Sequence, residues 1–247
     1  ALFCNVDVSS VIESIDAKTI YEVPLLMLNE KLDQVVLNKL NISKVYKSDL
    51  GDWKSFVNKI KNPKINIKIG LIGKYVELQD SYKSILESFV HAGALNESKI
   101  DVIPIHSEDI NEKTVKSKLS SLNGLLVAPG FGERGIEGKI ISISYARENN
   151  LPFFGICLGM QMAVIEFARN VVNLKNANST EMDNLTKHPV ITLMENQIDV
   201  EQKGGTMRLG SWKCKIKKNT LAYKIYNKEV VSERHRHRYE LNFKYMD

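Results

Sequence analysis

The string Leu151-Pro-Phe-Phe-Gly-Ile-Cys-Leu-Gly-Met-Gln161 places Cys157 between two glycines, Gly155 and Gly159. An apolar run leads into it, and a helical pattern of Met160, Ala163, Val164, Phe167 and Ala168 leaves it. Gly-x-Cys-x-Gly between a strand and a helix has the spacing of a nucleophile elbow, with a thiol in place of a serine hydroxyl. The flanking glycines let the chain turn sharply without a side-chain clash. A thiol held there projects from the carboxyl end of a strand over a helix N-terminus. The helix dipole and free N–H groups at that point favour a thiolate and can hold an oxyanion. The chemistry is nucleophilic attack on an acyl carbon. A lone cysteine is more often a buried structural residue, but the elbow spacing reverses that preference.

A second turn supplies what the thiol lacks. Val127-Ala-Pro-Gly-Phe-Gly-Glu-Arg-Gly135 follows another apolar run and could present backbone N–H groups to an anion. Alone it is ordinary Gly and Pro turn chemistry; beside a thiol it completes a pair, because acyl transfer needs both a nucleophile and oxyanion donors. A thiol also needs a base, and the histidines are His91, His106, His188, His235 and His237. None stands in an obvious catalytic setting. His91 lies in a helical pattern, and His235 and His237 sit in the basic knot Arg234-His-Arg-His-Arg238, where a solvated or anion-binding role is more natural.

These turns need elements to carry them. From residue 65 the pattern alternates between strand and helix. Strands are expected at Ile65–Ile72, Ile100–Ile105, Gly124–Ala128 and Leu151–Ile156, and helices at Ser81–Gly93, Asn111–Leu122, Ile136–Glu148 and Leu158–Val171. Such alternation predicts an α/β fold, a mostly parallel open sheet with helices on both faces, whose ligands bind beyond the carboxyl ends of the strands. A β-rich C-terminal segment is added by Val190–Met194, Thr206–Ile216 and Glu229–Glu240. Before residue 65 the chain is different. Leu2-Phe-Cys and Val11-Ile12 look like strand or core fragments. Leu25, Leu28, Leu32, Val35, Val36, Lys39 and Leu40 follow helical spacing from Pro24 onward, and a short helix runs through Trp53, Phe56, Val57 and Ile60 toward Asn62-Pro63.

Composition bounds the setting. The chain has 247 residues, 43% of them hydrophobic, ample for a sizeable core. No apolar run reaches bilayer length, and residues 1–12 carry no basic leader, so neither a membrane span nor a signal peptide is expected. Cys4, Cys157 and Cys214 are odd in number and far apart, which suits a reducing, cytoplasmic compartment. The net charge of +5 is spread over scattered lysines without an aromatic-interleaved module, so no nucleic acid partner is expected.

The Gly155–Gln161 motif resembles the nucleophile motif of class I, triad-type glutamine amidotransferases. Five further motifs narrow the likeness: Gly73-Lys-Tyr-Val-Glu77 with Asp80-Ser-Tyr-Lys83, Phe131-Gly-Glu-Arg-Gly-Ile-Glu-Gly138, Asn176-Ala-Asn-Ser-Thr-Glu181, Gly204-Gly-Thr-Met-Arg-Leu-Gly210 and Glu233-Arg-His-Arg-His-Arg-Tyr-Glu240. In this order they resemble the C-terminal glutaminase half of the CTP synthases, essentially from end to end. The resemblance implies a flavodoxin-like class I glutaminase fold. It divides the chain into 1–28 as the end of a synthetase (amidoligase) domain, 29–64 as a helical interdomain linker, and 65–247 as an amidotransferase domain lacking its C-terminal end.

The same resemblance implies that Cys157 attacks L-glutamine and forms a glutamyl thioester, with Gly130 and Leu158 giving the oxyanion-hole N–H groups. Ammonia would then pass to a synthetase domain that uses ATP and Mg²⁺ to aminate UTP to CTP. Gly130, Phe131, Leu158, Gln161, Glu181 and Arg238 match glutamine-binding positions. A carboxylate suits the substrate ammonium and a guanidinium fork its carboxylate. GTP is implied as an allosteric activator, with Arg134, Thr206 and Arg208 at the responsive positions; Asp16 and Ala17 match an ATP remnant, no metal site is expected in this chain, and a homo-tetramer is expected of the full-length protein. Two departures stand out. Pro129 replaces a glycine frequent in the family and removes one N–H group. The triad His and Glu, which the family carries in a His-Pro-Glu motif beyond the Arg-rich strand, are absent from the sequence, so this chain alone is expected to be incomplete for catalysis. Two other readings therefore remain: a non-catalytic glutamine- or nucleotide-binding regulatory module, and a hydrolase of another γ-glutamyl substrate. The second has no reason to combine Gly204–Gly210 with Glu233–Glu240.

Overall fold

The structure, a computed structural model, describes residues 2–43, 48–193 and 207–246. The chain falls into two compact units, one formed by Ala1–Ile67 with Ser84–Asp101 and the other by Lys68–Lys83 with Val102–Asp247.

The first unit is largely helical. It holds α1 (Val23–Asn29), α2 (Leu32–Lys39) and α3 (Gly51–Lys61), the start of β1 (Ile65–Gly73), most of α4 (Lys83–Leu95) and the start of β2 (Ser98–His106). Pro24 lies in the first turn of α1, where a missing N–H costs nothing. The helical spacing from Pro24 onward predicts one helix, but there are two. Lys31 adopts a left-handed φ of 59° and its N–H bonds Leu28. A single such residue re-aims the chain while leaving the apolar spacing nearly in phase, so periodicity does not reveal the break. Leu2–Cys4 is a 3₁₀ turn rather than a strand fragment, and Phe3 and Val11 are exposed. An aromatic group organises this unit: the Tyr21 ring meets Phe56 edge-on at 5.3 Å and His91 at 5.5 Å, and Trp53 Nε1 donates to the Tyr21 carbonyl at 2.8 Å.

The second unit is built on a four-stranded sheet of order β2-β1-β3-β4, with β3 at Gly124–Val127 and β4 at Phe153–Gly155. Helices α5 (Val115–Leu119), α6 (Ile136–Glu148) and α7 (Leu158–Asn170) alternate with these strands. β1 pairs parallel with β3 from Ile69↔Gly124 to Ile72↔Val127, and β3 pairs parallel with β4 from Leu125↔Phe153 to Val127↔Gly155. Flanking helices bury β3 completely, which is why Gly-Leu-Leu-Val is a continuous apolar run rather than an alternating one. Ile72, Val127, Ile140, Ile143, Met162 and Ile165 form the centre of the core. Helix α5 is shorter than the expected Asn111–Leu122, because the Asn111 side chain accepts the N–H groups of Lys113 and Thr114 while Thr114 Oγ1 accepts that of Asn111. Those local bonds replace the first helical turn.

The C-terminal part is β-rich, with one added helix. β5 (Asn178–Ser179) lies parallel to β6 (Pro189–Leu193), which pairs antiparallel with β9 (Tyr239–Leu241). β7 (Arg208–Lys215) and β8 (Val230–His237) form an antiparallel pair running from Arg208↔His237 to Lys215↔Val230, with α8 (Leu221–Tyr226) between them in sequence. Among the described residues no helix is long and apolar enough to cross a membrane.

Candidate active site

Cys157 stands at the junction of β4 and α7 with φ 51° and ψ −108°, a backbone that a non-glycine residue adopts only under constraint. The constraint is the fit of the two glycines. A Cβ on Gly155 would come within 2.5 Å of the Gly159 carbonyl carbon, and one on Gly159 within 2.2 Å of the Val127 oxygen. The N-terminal turn of α7 therefore lies against the ends of β3 and β4. Ile156 N–H donates to Val127 and Gly159 N–H to Ile156, at 3.1 and 2.9 Å, which closes the turn.

The half-buried thiol departs from the sequence expectation of a favoured thiolate. Burial pushes the Cys157 thiol above its ordinary value and the Glu181 carboxylate adds to the rise; the Leu158 N–H and the Lys139 ammonium pull the other way without prevailing. The helix terminus is present, but desolvation of a charged sulfur outweighs it. At neutral pH Cys157 is therefore a thiol.

The turn after β3 is held from three sides. Lys74, at the end of β1 and 6% exposed, donates from Nζ to the carbonyl of Phe131 and, at 3.0 Å, to that of Gly132. Glu181 Oε1 accepts the Gly132 N–H at 2.9 Å. Lys139, fully buried on α6, reaches the Ala128 carbonyl at 3.4 Å. Burial lowers the pKa of Lys74, with the Arg134 guanidinium adding to the effect. Burial lowers that of Lys139 to about 8, aided by Lys74 and opposed by Cys157.

Cys157, Gly130, Phe131, Gln161, Glu181 and Arg238 all line one cleft of about 670 Å³. Leu158 is 1% exposed beneath it. Gln161 is nearly buried and donates from Nε2 to the Tyr239 carbonyl at 2.9 Å, fixing its side chain against β9. Arg238 is the single residue between β8 and β9, so two strand pairs determine its place. A smaller recess of about 220 Å³ shares Cys157 and Gln161 and is walled by His235 and His237. This corrects the expectation that these histidines are solvated. Strand alternation leaves His235 and His237 half-buried while Arg234 and Arg236 are exposed. His237 Nε2 lies 3.6 Å from Glu240, and burial outweighs that carboxylate in lowering its pKa, so the imidazole is neutral at neutral pH.

Arg134 packs over the Tyr75 ring at 5.5 Å and lies 3.8 Å from Glu108. Arg208 lies 4.9 Å over the Trp212 ring and pairs with Glu240 at 3.2 Å. Thr206 is outside the described residues. Asp16 is exposed and Ala17 half-buried, both in the first unit. Among the described residues no three His, Cys, Asp or Glu side chains are grouped to hold a metal ion. Lys74, Lys139 and Tyr239 were not singled out from sequence. Lys139 did carry a signal, since it falls on the same helical stripe as Ile136, Ile140 and Ile143, a core face where a lysine is out of place.

Comparison with known proteins agrees with this geometry. The family model described as glutamine amidotransferase class-I matches residues 77–246, and that described as CTP synthase N-terminus matches residues 1–42. The chain is 63% identical over its full length to a CTP synthase of Flavobacterium johnsoniae and 51% identical to one of Caldanaerobacter subterraneus subsp. tengcongensis, spanning 46% of each. The chain thus spans about half the length of the curated relatives it matches. A solved structure, the Trypanosoma brucei CTPS glutaminase domain with bound acivicin, is 38% identical with a TM-score of 0.67; the match covers 73% of this chain and 70% of that one. With a class-I amidotransferase model over most of its length and such relatives on both sequence and structure, the chain belongs to the CTP synthase family, in its glutamine amidotransferase region.

Proposed function

We propose that the second unit hydrolyses L-glutamine and supplies the ammonia for CTP synthesis. The observation that carries this is the cleft in which Cys157, at a strained strand–helix elbow, faces Gly130, Gln161, Glu181 and Arg238. The Cys157 sulfur adds to the glutamine amide carbon, and the carbonyl electron pair moves onto oxygen, held by the N–H groups of Gly130 and Leu158. Collapse of this intermediate expels ammonia with a proton and leaves a glutamyl thioester. Water then cleaves the thioester, giving glutamate and restoring the thiol. Losing one oxyanion donor costs roughly a hundredfold or more in rate. Glu181 takes the substrate ammonium, Arg238 grips its carboxylate, and Gln161 and Phe131 complete the pocket. The base is the family's His, oriented by its Glu, in a His-Pro-Glu segment that the 247 residues do not include.

In the same reading, residues 1–28 end a synthetase domain, 29–64 link it and 65–247 form the amidotransferase. The synthetase part would hold ATP and Mg²⁺ and transfer a phosphoryl group to O4 of UTP; ammonia would displace it as phosphate to give CTP, and GTP would raise glutaminase activity through Arg134, Thr206 and Arg208. Asp16 and Ala17 would adjoin the ATP adenine. The full-length protein works as a cytoplasmic homo-tetramer. Full-length protein carrying Cys157→Ala should lose glutamine-dependent CTP formation and keep ammonia-dependent formation. Loss of both in a folded protein rejects this division of labour. Absence of Cys157 labelling by an electrophilic glutamine analogue in the unmutated full-length protein would instead favour a binding module without turnover.

A further inference from the structure

Gly73-Lys-Tyr-Val-Glu77 carries no group of the chemistry above, yet Lys74 within it is 6% exposed and lines the same cleft as Cys157, Glu181 and Arg238. A buried ammonium is costly unless its hydrogens are bonded. This one is bonded to backbone: Nζ donates to the carbonyl of Phe131 and, at 3.0 Å, to that of Gly132. Glu181 Oε1 accepts the Gly132 N–H at 2.9 Å. The Phe131 carbonyl and the Gly132 N–H belong to one planar trans peptide unit and point in opposite directions across it. A cation therefore holds one edge of that peptide and an anion the other. Turning the peptide over would set a carbonyl oxygen against the carboxylate and an N–H against the ammonium, so both charges oppose it. Packing in turn places the lysine. The Lys74 N–H donates to the hydroxyl of buried Tyr82 at 3.2 Å, and a Cβ on Gly73 would come within 2.4 Å of that same oxygen. Gly73 thus lets Tyr82 close on the end of β1.

We infer that Lys74 is a positioning residue for glutamine recognition: through the Phe131–Gly132 peptide it fixes the Glu181 carboxylate, with one oxygen on the Gly132 N–H and the other left to the α-ammonium of the substrate. The inference rests on the glutaminase reading above. A carboxylate has room for both partners, since its two oxygens offer about four lone-pair sites. Without the ammonium of Lys74 the peptide loses the bond that holds its carbonyl edge, and Glu181 loses a fixed N–H to lean on. The incoming substrate would then have to order the carboxylate itself, and that cost falls on binding rather than on attack by Cys157. Lys74 touches no atom of glutamine in this account; it acts through the peptide and Glu181.

The test uses full-length protein and steady-state glutamine hydrolysis, with thermal melting beside it, for Lys74→Met, Glu181→Gln and the two combined. Lys74→Met removes the ammonium and keeps an apolar chain of similar length. It should raise the KM for glutamine about threefold to tenfold, because charge-assisted bonds are lost from the anchor of the ammonium site, and change kcat by less than about twofold. In the Glu181→Gln background the same substitution should add less than about twofold to KM, because the charge that Lys74 positions is gone. Rises in KM that simply multiply mean that Lys74 acts apart from Glu181, and they overturn the inference. A purely structural lysine lowers the melting temperature and kcat with KM unmoved, and that result overturns it too. Lys74→Gln keeps a donor for the two carbonyls without the charge and should raise KM in the same direction; if both single variants fail to fold, Lys74 is structural and the inference fails. If unmutated protein is not labelled at Cys157 by the glutamine analogue, the glutaminase reading is what fails; labelling in it with an unmoved KM in the variants rejects the inference alone.

Discussion

Glu181 illustrates how one side chain can serve two purposes. Its Oε1 accepts the Gly132 N–H at 2.9 Å while the carboxylate lines the cleft and raises the Cys157 pKa. Glu181→Gln separates them, since the amide oxygen can still accept from Gly132 but the charge is lost. A hydrogen bond to a charged group contributes about 1.5–3 kcal/mol. The KM for glutamine should therefore rise at least about tenfold in full-length protein, while alkylation of Cys157 at neutral pH becomes faster, because a neighbouring anion no longer opposes the thiolate. Steady-state glutaminase kinetics beside iodoacetamide alkylation check both. Only the resemblance of the Asn176–Glu181 motif marks Glu181 in the sequence. Its sequence neighbourhood, Asn-Ser-Thr-Glu-Met-Asp, reads as a polar surface turn, and the pairing of β5 with β6 is what brings it to Gly132.

At the scale of elements, the elbow is a close approach of α7 to the sheet, and Gly159 is the residue that permits it. Gly159→Ala puts a methyl 2.2 Å from the Val127 carbonyl oxygen, a backbone atom that cannot turn aside. Overpacking of this kind costs about 1–3 kcal/mol, so the melting transition of the second unit should fall by several degrees. Labelling of Cys157 by a glutamine analogue should also fall as the turn opens. A melting temperature within a degree of the unmutated protein, with normal labelling, contradicts this account. The first unit offers a contrasting case. Tyr21 donates its hydroxyl toward Glu87 Oε2 at 2.6 Å and lies 2.7 Å from His91 Nε2. Burial and the Glu87 carboxylate push its pKa up to about 12. The phenol is the form stabilised by folding, so its contribution is complete below pH 10, the ordinary value, and is lost as pH rises from there through about 12. Tyr21→Phe should lower stability to denaturant by about 1 kcal/mol at neutral pH and remove that part of the alkaline loss. Urea titrations at neutral and alkaline pH read both effects.

For the whole molecule, the division into units does not follow chain order. Ser84–Asp101 belongs with residues 1–67, although it is flanked in sequence by segments of the other unit. The boundaries proposed from sequence, at 28 and 64, follow composition and motif order, whereas compactness follows contacts such as Tyr21 with Glu87 and His91. Both β1 and β2 pass from one unit into the other, so cutting the chain at residue 65 would strip α4 of the partners it has in its own unit.

Some of this was determined by the sequence alone. Alternating apolar runs and helical stripes specify the parallel α/β order, because burying strands on both faces demands continuous apolar segments and covering helices demand a periodic face. Gly155, Cys157 and Gly159 specify the elbow, because only small flanking residues fit that turn, and the ordered motifs identify the family. Other features were decided by tertiary structure. The break at Lys31 preserves the apolar spacing, and the shortening of α5 depends on side-chain bonds at Asn111 and Thr114 that compete with the helix. The histidines of β8 are half-buried at the recess they line together with Cys157, because strand pairing sets which alternate residues are covered. The thiol's protonation and the buried charges at Lys74 and Lys139 follow from desolvation, and desolvation is a property of what packs around a group rather than of the group or its neighbours in sequence.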